Sequence, residues 1–512
     1  MAGDKIYPLI VKPGINRDDT VFSKKNCVDG KWVRFQNSFP KKIGGYTEIA
    51  SPDNAVRLDK IQRGCIVIPN GENYDSYSGD QGKLNRISIN QTGDPISGFT
   101  QNRTPTGFLS NPNYLWNFDS MYSDTDDSSI LIGLAVPNLS SIDNSAPANI
   151  YYGITNADTP LIPTGLTTAG SIVVLHPFLF IFGNAGEVSW TKESDPTTIE
   201  NTARVASRKI VSGFAARGGN SSPSGLFWSL DSLIRVTFVG GPAKFAFDTV
   251  TSDSSILSSH SVVEYDGTYF WPAIDRFLVY NGVVKEVPNN MSLNFFYDNI
   301  NFSQRQKVWG TKVPRWGEIW WHFPTRNSEE CDHVVIYNVR EGTWYDTPIN
   351  RSCGYFSQTF QDPIWFDNVL NTAAAPYYPM WRHENGVDKV ENHPNLPNVY
   401  SAIESYFETS DISWCALGPN QQYNFTDRWV SLNRVEPDFL QSGTMSLDVI
   451  GNEYAKSPDS TNLSDFFGPD TVKIDLKEQR RQIRLKFRSN VIGGDYKMGQ
   501  ILVSMNIGDG RQ

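Results

Sequence analysis

No stretch of this chain approaches the roughly 20 consecutive apolar residues that a membrane-crossing helix needs. The opening residues, MAGDKIYPLIVKPG, lack a basic segment followed by an apolar one, so no secretory signal is expected. The five cysteines (Cys27, Cys65, Cys331, Cys353 and Cys415) lie far apart and form no CxxC pair. That excludes a disulfide framework and a cysteine zinc site, and leaves reduced, mostly buried thiols made in a cytosol. Histidine is equally sparse, at six residues. No HExxH helix, G-x-S-x-G elbow or G-x-x-x-x-G-K-[ST] phosphate loop appears, and no cofactor is expected. Basic excess is missing too: 45 Lys and Arg face 55 Asp and Glu, a net charge of −10. A surface that clamps nucleic-acid phosphates needs the opposite balance. Long amphipathic helical patterns are scarce.

What the chain does have is aromatic side chains and turn formers: 29 Phe, 22 Tyr and 14 Trp beside 40 Gly and 30 Pro. That mixture favours short strands joined by tight turns. Two stretches show the unit. YDGTYFWPAIDRFLVYNG (265–282) and WGEIWWHFPTRNSEECDHVVIYN (316–338) each open on Gly and an aromatic strand and close on Tyr-Asn. From its Gly to its closing Tyr the second is seven residues longer (Gly317 to Tyr337 against Gly267 to Tyr280), and the addition falls in its turn. EECDH (329–333) is therefore read as an enlarged, exposed hairpin tip. Cys331 and His333 share a side on a strand but lack a second ligand pair for a metal.

Similar hairpins recur between about 56 and 398, six or seven units at 45–60 residue spacing. The spacing predicts an all-β fold, a β-propeller of about six blades over 56–400 with loop insertions. The GH…WD, kelch and S-x-D-x-G-x-x-W signatures are absent. Beyond 400, TMSLDVI, TVKIDL and RQIRLKFRS alternate strictly, which predicts an antiparallel, sandwich-like C-terminal domain over 401–512. Val472, Ile474 and Leu476 should share one buried face, and Ile483, Leu485 and Phe487 another. Residues 1–55 read as an extended N-terminal docking segment.

Other constellations complete no catalytic or metal motif. SDTDDSS (123–129) carries Asp124, Asp126 and Asp127, without the glycine and distant glutamate of a helical calcium loop. MWRHENG (380–386) places His383 beside Glu384 without metalloprotease spacing. Paired-carboxylate catalysis leaves no short motif and stays open. KEQRRQIRLKFR (477–488) sets Arg484, Lys486 and Arg488 on one strand face, a cationic ladder able to dock an acidic partner or protect an edge.

The segment at 6–49 resembles the start of short-tailed bacteriophage tail proteins through Gly30, Trp32 and Arg34, then Pro40, Lys42, Gly44, Gly45 and Tyr46. LFWSLDSLIRVTF, EYDGTYFW and VVIYNVREGTWYD look like the same group, the tail nozzle, packaged-DNA stabilisation or tail tubular protein B family. The resemblance implies a non-enzymatic virion protein assembled in the host cytoplasm as a homo-hexameric ring. That ring would sit below the tail adaptor, contact fibres or spikes, and pass double-stranded DNA through its channel. Trp32, Arg34, Pro40, Tyr46, Arg484, Lys486 and Arg488 are the candidate partner-docking residues. The competing reading is a propeller glycan-binding protein or glycosidase acting at a cell surface, which abundant Trp would suit.

Overall fold

The computed structural model describes residues 5–510 apart from 22–24, 50–55, 138–141, 143–145, 217–222, 357–359, 373–375, 393–396, 413–427 and 454–456. Cys415 lies outside the described residues. The chain is all-β, built of many small antiparallel sheets. Its helical content among the described residues is one short helix, Leu293–Asn299, and one 3-10 segment, Phe302–Lys307. Among those residues no helix is long and apolar enough to cross a membrane.

Six consecutive four-stranded meanders occupy 65–348, each sheet pairing only strands adjacent in sequence. Their first strands are Cys65–Asn70, Tyr114–Ser123, Ile172–Leu175, Ile210–Ala215, Val263–Tyr265 and Trp309–Val313. A seventh sheet starts with Cys353–Tyr355, Ile364–Phe366 and Met380–His383, and takes its next strand from the N-terminal segment: Tyr46–Glu48 pairs antiparallel with Met380–His383. The first strand of the seventh sheet packs along that of the first, Cys65–Asn70, so the succession closes into a ring.

The ring is held by apolar clusters seated between successive sheets. Ile132 and Leu134 meet Leu179 and Ile181 between the second and third sheets. Phe180 and Phe182 meet Phe227 and Val236 between the third and fourth. Trp228 and Trp271 cross edge to face, 5.6 Å apart, between the fourth and fifth. A sheet covered on both faces needs strands apolar throughout, which is why Phe178–Phe182 (FLFIF) is buried at every position. Tryptophan indoles then tie neighbouring sheets together. Trp116 Nε1 donates to the Asp80 carbonyl at 2.7 Å, and Trp321 Nε1 to the Ser261 carbonyl at 2.9 Å. At Gly79 a Cβ would stand 2.4 Å from the Trp116 ring, so only glycine allows that approach.

The remaining sheets mix the two ends of the chain. Lys5–Pro8 pairs with Leu502–Gly510, Asp29–Lys31 with Ser405–Glu408, and Phe39–Lys42 with Asp495–Met498. Ile483, Leu485 and Phe487 are fully buried in their shared core, as the alternation predicts. Val472 departs from that expectation. It is 83% exposed, because the paired strand begins only at Ile474.

The axial cavity as a candidate functional site

The first strands of six of the seven sheets, with residues 259–262 leading into the fifth, line a cavity of about 380 Å³ on the ring axis. Small residues keep it open: Ser171, Ser212, Gly213, Gly310, Ser352 and Gly354 all line it. All three of these glycines are sterically required, Gly310 because a Cβ would lie 2.5 Å from Val263. A Cβ on Gly354 would lie 2.2 Å from the Trp365 ring, and one on Gly213 would lie 2.7 Å from Val173.

Into this space the fold brings titratable groups that are remote in sequence. Asp119, on the second sheet's first strand, accepts the Val174 N–H of the neighbouring sheet at 2.7 Å and the Ser120 N–H at 2.8 Å. Burial outweighs those two donors and pushes its carboxyl up to about 6. His260 lies between Ser259 Oγ, 3.2 Å from Nδ1, and the Trp116 carbonyl, 3.1 Å from Nε2. A carbonyl only accepts, so Nε2 carries the proton and Nδ1 is left to accept from the serine. Burial pushes this imidazole down to about 4, which keeps it neutral near pH 7.

Glu330 comes from the EECDH tip. Burial drives its carboxyl upward, but Arg63 and Lys307 prevail and hold it below the usual glutamate range. Arg63 grips it with both guanidinium nitrogens, one at 2.6 Å, and Lys307 Nζ sits at 2.9 Å. Next in line, Cys331 is buried, and its thiol donates to the Lys307 carbonyl at 3.2 Å. Cys65 and Cys353 line the same cavity in mutual contact.

The tip is thus a hairpin connection between Glu318–Phe323 and His333–Asn338, as expected, but it is not a solvated turn. Its residues take different partners. Glu330 and Cys331 face the cavity, Asp332 accepts from Thr325 Oγ1 at 2.7 Å, and His333 Nε2 meets Asp346 at 2.9 Å. The reading of an exposed tip is corrected because the cations Arg63 and Lys307 draw the loop inward. In the acidic turn at 123–129, Asp126 engages Ser123 Oγ at 2.8 Å and Asp127 engages the Tyr122 hydroxyl.

The candidate docking residues lie apart from the cavity. Trp32 is buried, its indole donating to the Gly44 carbonyl at 3.2 Å and its N–H to Thr347 Oγ1 at 3.0 Å. Arg34 is buried between Glu318 and Glu384. Pro40 is buried, and half-buried Tyr46 stacks on His383 at 5.0 Å. The cationic ladder is engaged within the chain: Arg484 meets Glu408 at 3.1 Å and Asp459 at 2.6 Å, and Arg488 meets Asp448 at 2.5 Å. Lys486 Nζ sits 3.6 Å above the Tyr406 ring.

Comparisons with known proteins found no matching family model and no matching curated protein. Among solved structures, an ancestral GH74 enzyme matches at 11% identity and TM-score 0.38, over 69% of this chain and 51% of that one. The chain thus spans about half that enzyme's length. Two structures of exo-beta-1,3-galactanase from Phanerochaete chrysosporium with beta-1,3-galactotriose match at 9% and 8% identity, with TM-scores of 0.29 and 0.27. Each covers 90% of this chain, and the chain covers 99% and 100% of them. All three of these structures are glycoside hydrolases. The expectations of a tail-nozzle role and of a chain that is not an enzyme are corrected by this finding. Asp119 and Glu330 belong to no short motif, and only the packing of distant sheets brings them to one cavity.

Proposed function

We propose that this chain is a propeller-type, glycan-active protein that cleaves a glycosidic bond in its axial cavity using Asp119 and Glu330. The observation carrying this reading is that one cavity holds two carboxyl groups tuned in opposite directions. Glycoside cleavage needs such a division: one carboxylic acid protonates the departing oxygen while an ionised carboxylate acts as nucleophile or activates water. Asp119, kept protonated up to about pH 6, fits the acid. Glu330, kept ionised by Arg63 and Lys307, fits the carboxylate. His260, neutral and donating through Nε2 to the Trp116 carbonyl, offers no competing acid. A volume of about 380 Å³ suits a sugar of one or two rings, within the usual range for ligand sites.

On this reading the seven sheets are seven blades, at the upper end of the six or seven units counted in the sequence, and Tyr46–Glu48 closes the last of them. The sheets shared by the two chain ends form a sandwich-like companion body.

The test is a panel of plant, fungal and bacterial polysaccharides, assayed for release of reducing ends and for binding by calorimetry. Turnover on one glycan class, lost in Asp119→Asn with binding retained, supports the proposal. Neither turnover nor binding on any member overturns it.

A further inference from the structure

Cys65 and Cys353 stand on the two strands that meet where the ring closes: Cys65 opens the first strand of the first sheet, and Cys353 opens the first strand of the seventh. The two strands pack along each other, and the two side chains belong to one apolar cluster with Ile364 and Phe366. Their thiols interact, and both line the axial cavity. Cys65 is the more exposed of the pair, and Cys353 is buried. The same seam is also joined by Arg382, which meets Asp94 at 3.1 Å, and by the backbone bridge between Leu58 and Tyr378.

We propose that Cys65 and Cys353 form a reversible disulfide that locks the ring at its seam when a low-molecular-weight disulfide enters the cavity. The thiolate of Cys65 attacks the oxidant, expelling one small thiolate and forming a mixed disulfide. The thiolate of Cys353 then attacks Cys65 Sγ and expels the second small thiolate. One disulfide is reduced and one is formed, and the two cysteine protons end on the two small thiols released. Each cysteine must first lose its proton, and both the interaction with Cys353 and burial hold the Cys65 thiol above its ordinary range, so exchange quickens as pH rises. The bridge spans nearly the whole ring, and closing a long loop constrains the unfolded chain strongly. This site is independent of the glycan reading and stands or falls without it.

The experiment incubates the intact chain with oxidised glutathione at mildly alkaline pH. Free thiols are then blocked with N-ethylmaleimide, and the unreduced digest is read by mass spectrometry. The expected result is one cross-linked peptide pair joining Cys65 to Cys353, two hydrogens lighter than its parts. It should come with a thermal midpoint that rises on oxidation and returns with dithiothreitol. Cys331→Ser should keep both signatures, and Cys353→Ser should lose both. Recovery of Cys65 and Cys353 blocked or individually glutathionylated, or a bridge from Cys65 to Cys331, overturns the proposal. The wild-type cross-link needs no variant, so a poorly folding Cys353→Ser leaves the test intact.

Discussion

Arg34 and Glu384 face each other in a two-pronged ion pair, at 2.8 and 2.7 Å, across 350 residues of sequence. The guanidinium is 1% exposed and also meets Glu318 at 2.9 Å, whose carboxylate accepts from Tyr345 at 2.6 Å and Trp320 at 2.9 Å. Trp316 completes the cluster, with its indole donating to Glu384 at 2.7 Å and its ring under the guanidinium at 4.6 Å. The N-terminal segment is thereby pinned to the sixth sheet and to the residue following Met380–His383 of the seventh. Arg34→Ala leaves two carboxylates buried without their cation, a loss of about 3–5 kcal/mol. Chemical denaturation measures it, and a cost near that of a surface pair would show the cluster to be wet. Arg34→Lys should recover only part, because an ammonium cannot span both carboxylates.

That pair also marks where the sequence stops being legible. The hairpins can be read because their information is local: WGEIWWHF and HVVIYN carry their own strand pattern, and the two strands pair with Trp321 opposite Val335. Ring closure cannot be read that way, since Tyr46 pairs with His383 through a three-residue strand too short to advertise a partner. The ladder Arg484, Lys486 and Arg488 is legible as a face. What covers that face, Glu408, Asp448 and Tyr406, is set by strands brought alongside in space. The cavity is less legible still. Asp119 is an ordinary residue in YLWNFDSMYS until the Val174 N–H reaches it from the next sheet. Arg63 and Lys307 give no hint in sequence that both will converge on Glu330.

The cavity groups write opposite slopes into stability against pH. Asp119 ionises near 6 in the fold and near 3.8 when unfolded, so the unfolded chain sheds its proton first and stability falls as pH rises between those values. His260 titrates near 4 in the fold and near 6.5 when unfolded, so stability rises with pH over its own window. Each is worth up to about 3 kcal/mol, and between about pH 4 and 6 they largely cancel. Asp119→Asn should expose the His260 slope, with stability climbing from pH 4 to 6.5. His260→Gln should expose the Asp119 slope, with stability falling from pH 4 to 6. Urea titrations across that range check both, and parallel curves for all three proteins would contradict the assignment.

Gly79 is required by the ring it touches. Trp116 is fixed by its hydrogen bond to the Asp80 carbonyl and by stacking on Phe118 at 5.3 Å, so it cannot yield to a methyl group. Gly79→Ala should therefore cost about 1–3 kcal/mol through overpacking. Gly468→Ala, where a Cβ would meet nothing within 4 Å, is the control and should change stability by less than about 0.5 kcal/mol. Thermal melts of the two variants side by side measure the difference.

Catalysis, finally, should follow the proton on Asp119. If it is the acid, turnover on the active glycan falls as pH rises through about 6, because the group must be protonated to act. Asp119→Asn should lower turnover about 10²- to 10⁴-fold, the usual worth of a positioned acid. Substrates with an activated leaving group should suffer least, since they need no proton on departure. Glu330→Gln should instead depress every substrate alike, because the carboxylate acts whatever leaves. Arg63→Met separates the roles further. Removing the cation frees the Glu330 carboxyl to rise, which moves the acidic limb of the pH profile upward and leaves the Asp119 limb in place. A profile whose alkaline limb ignores Asp119→Asn would take the acid's role away from that residue.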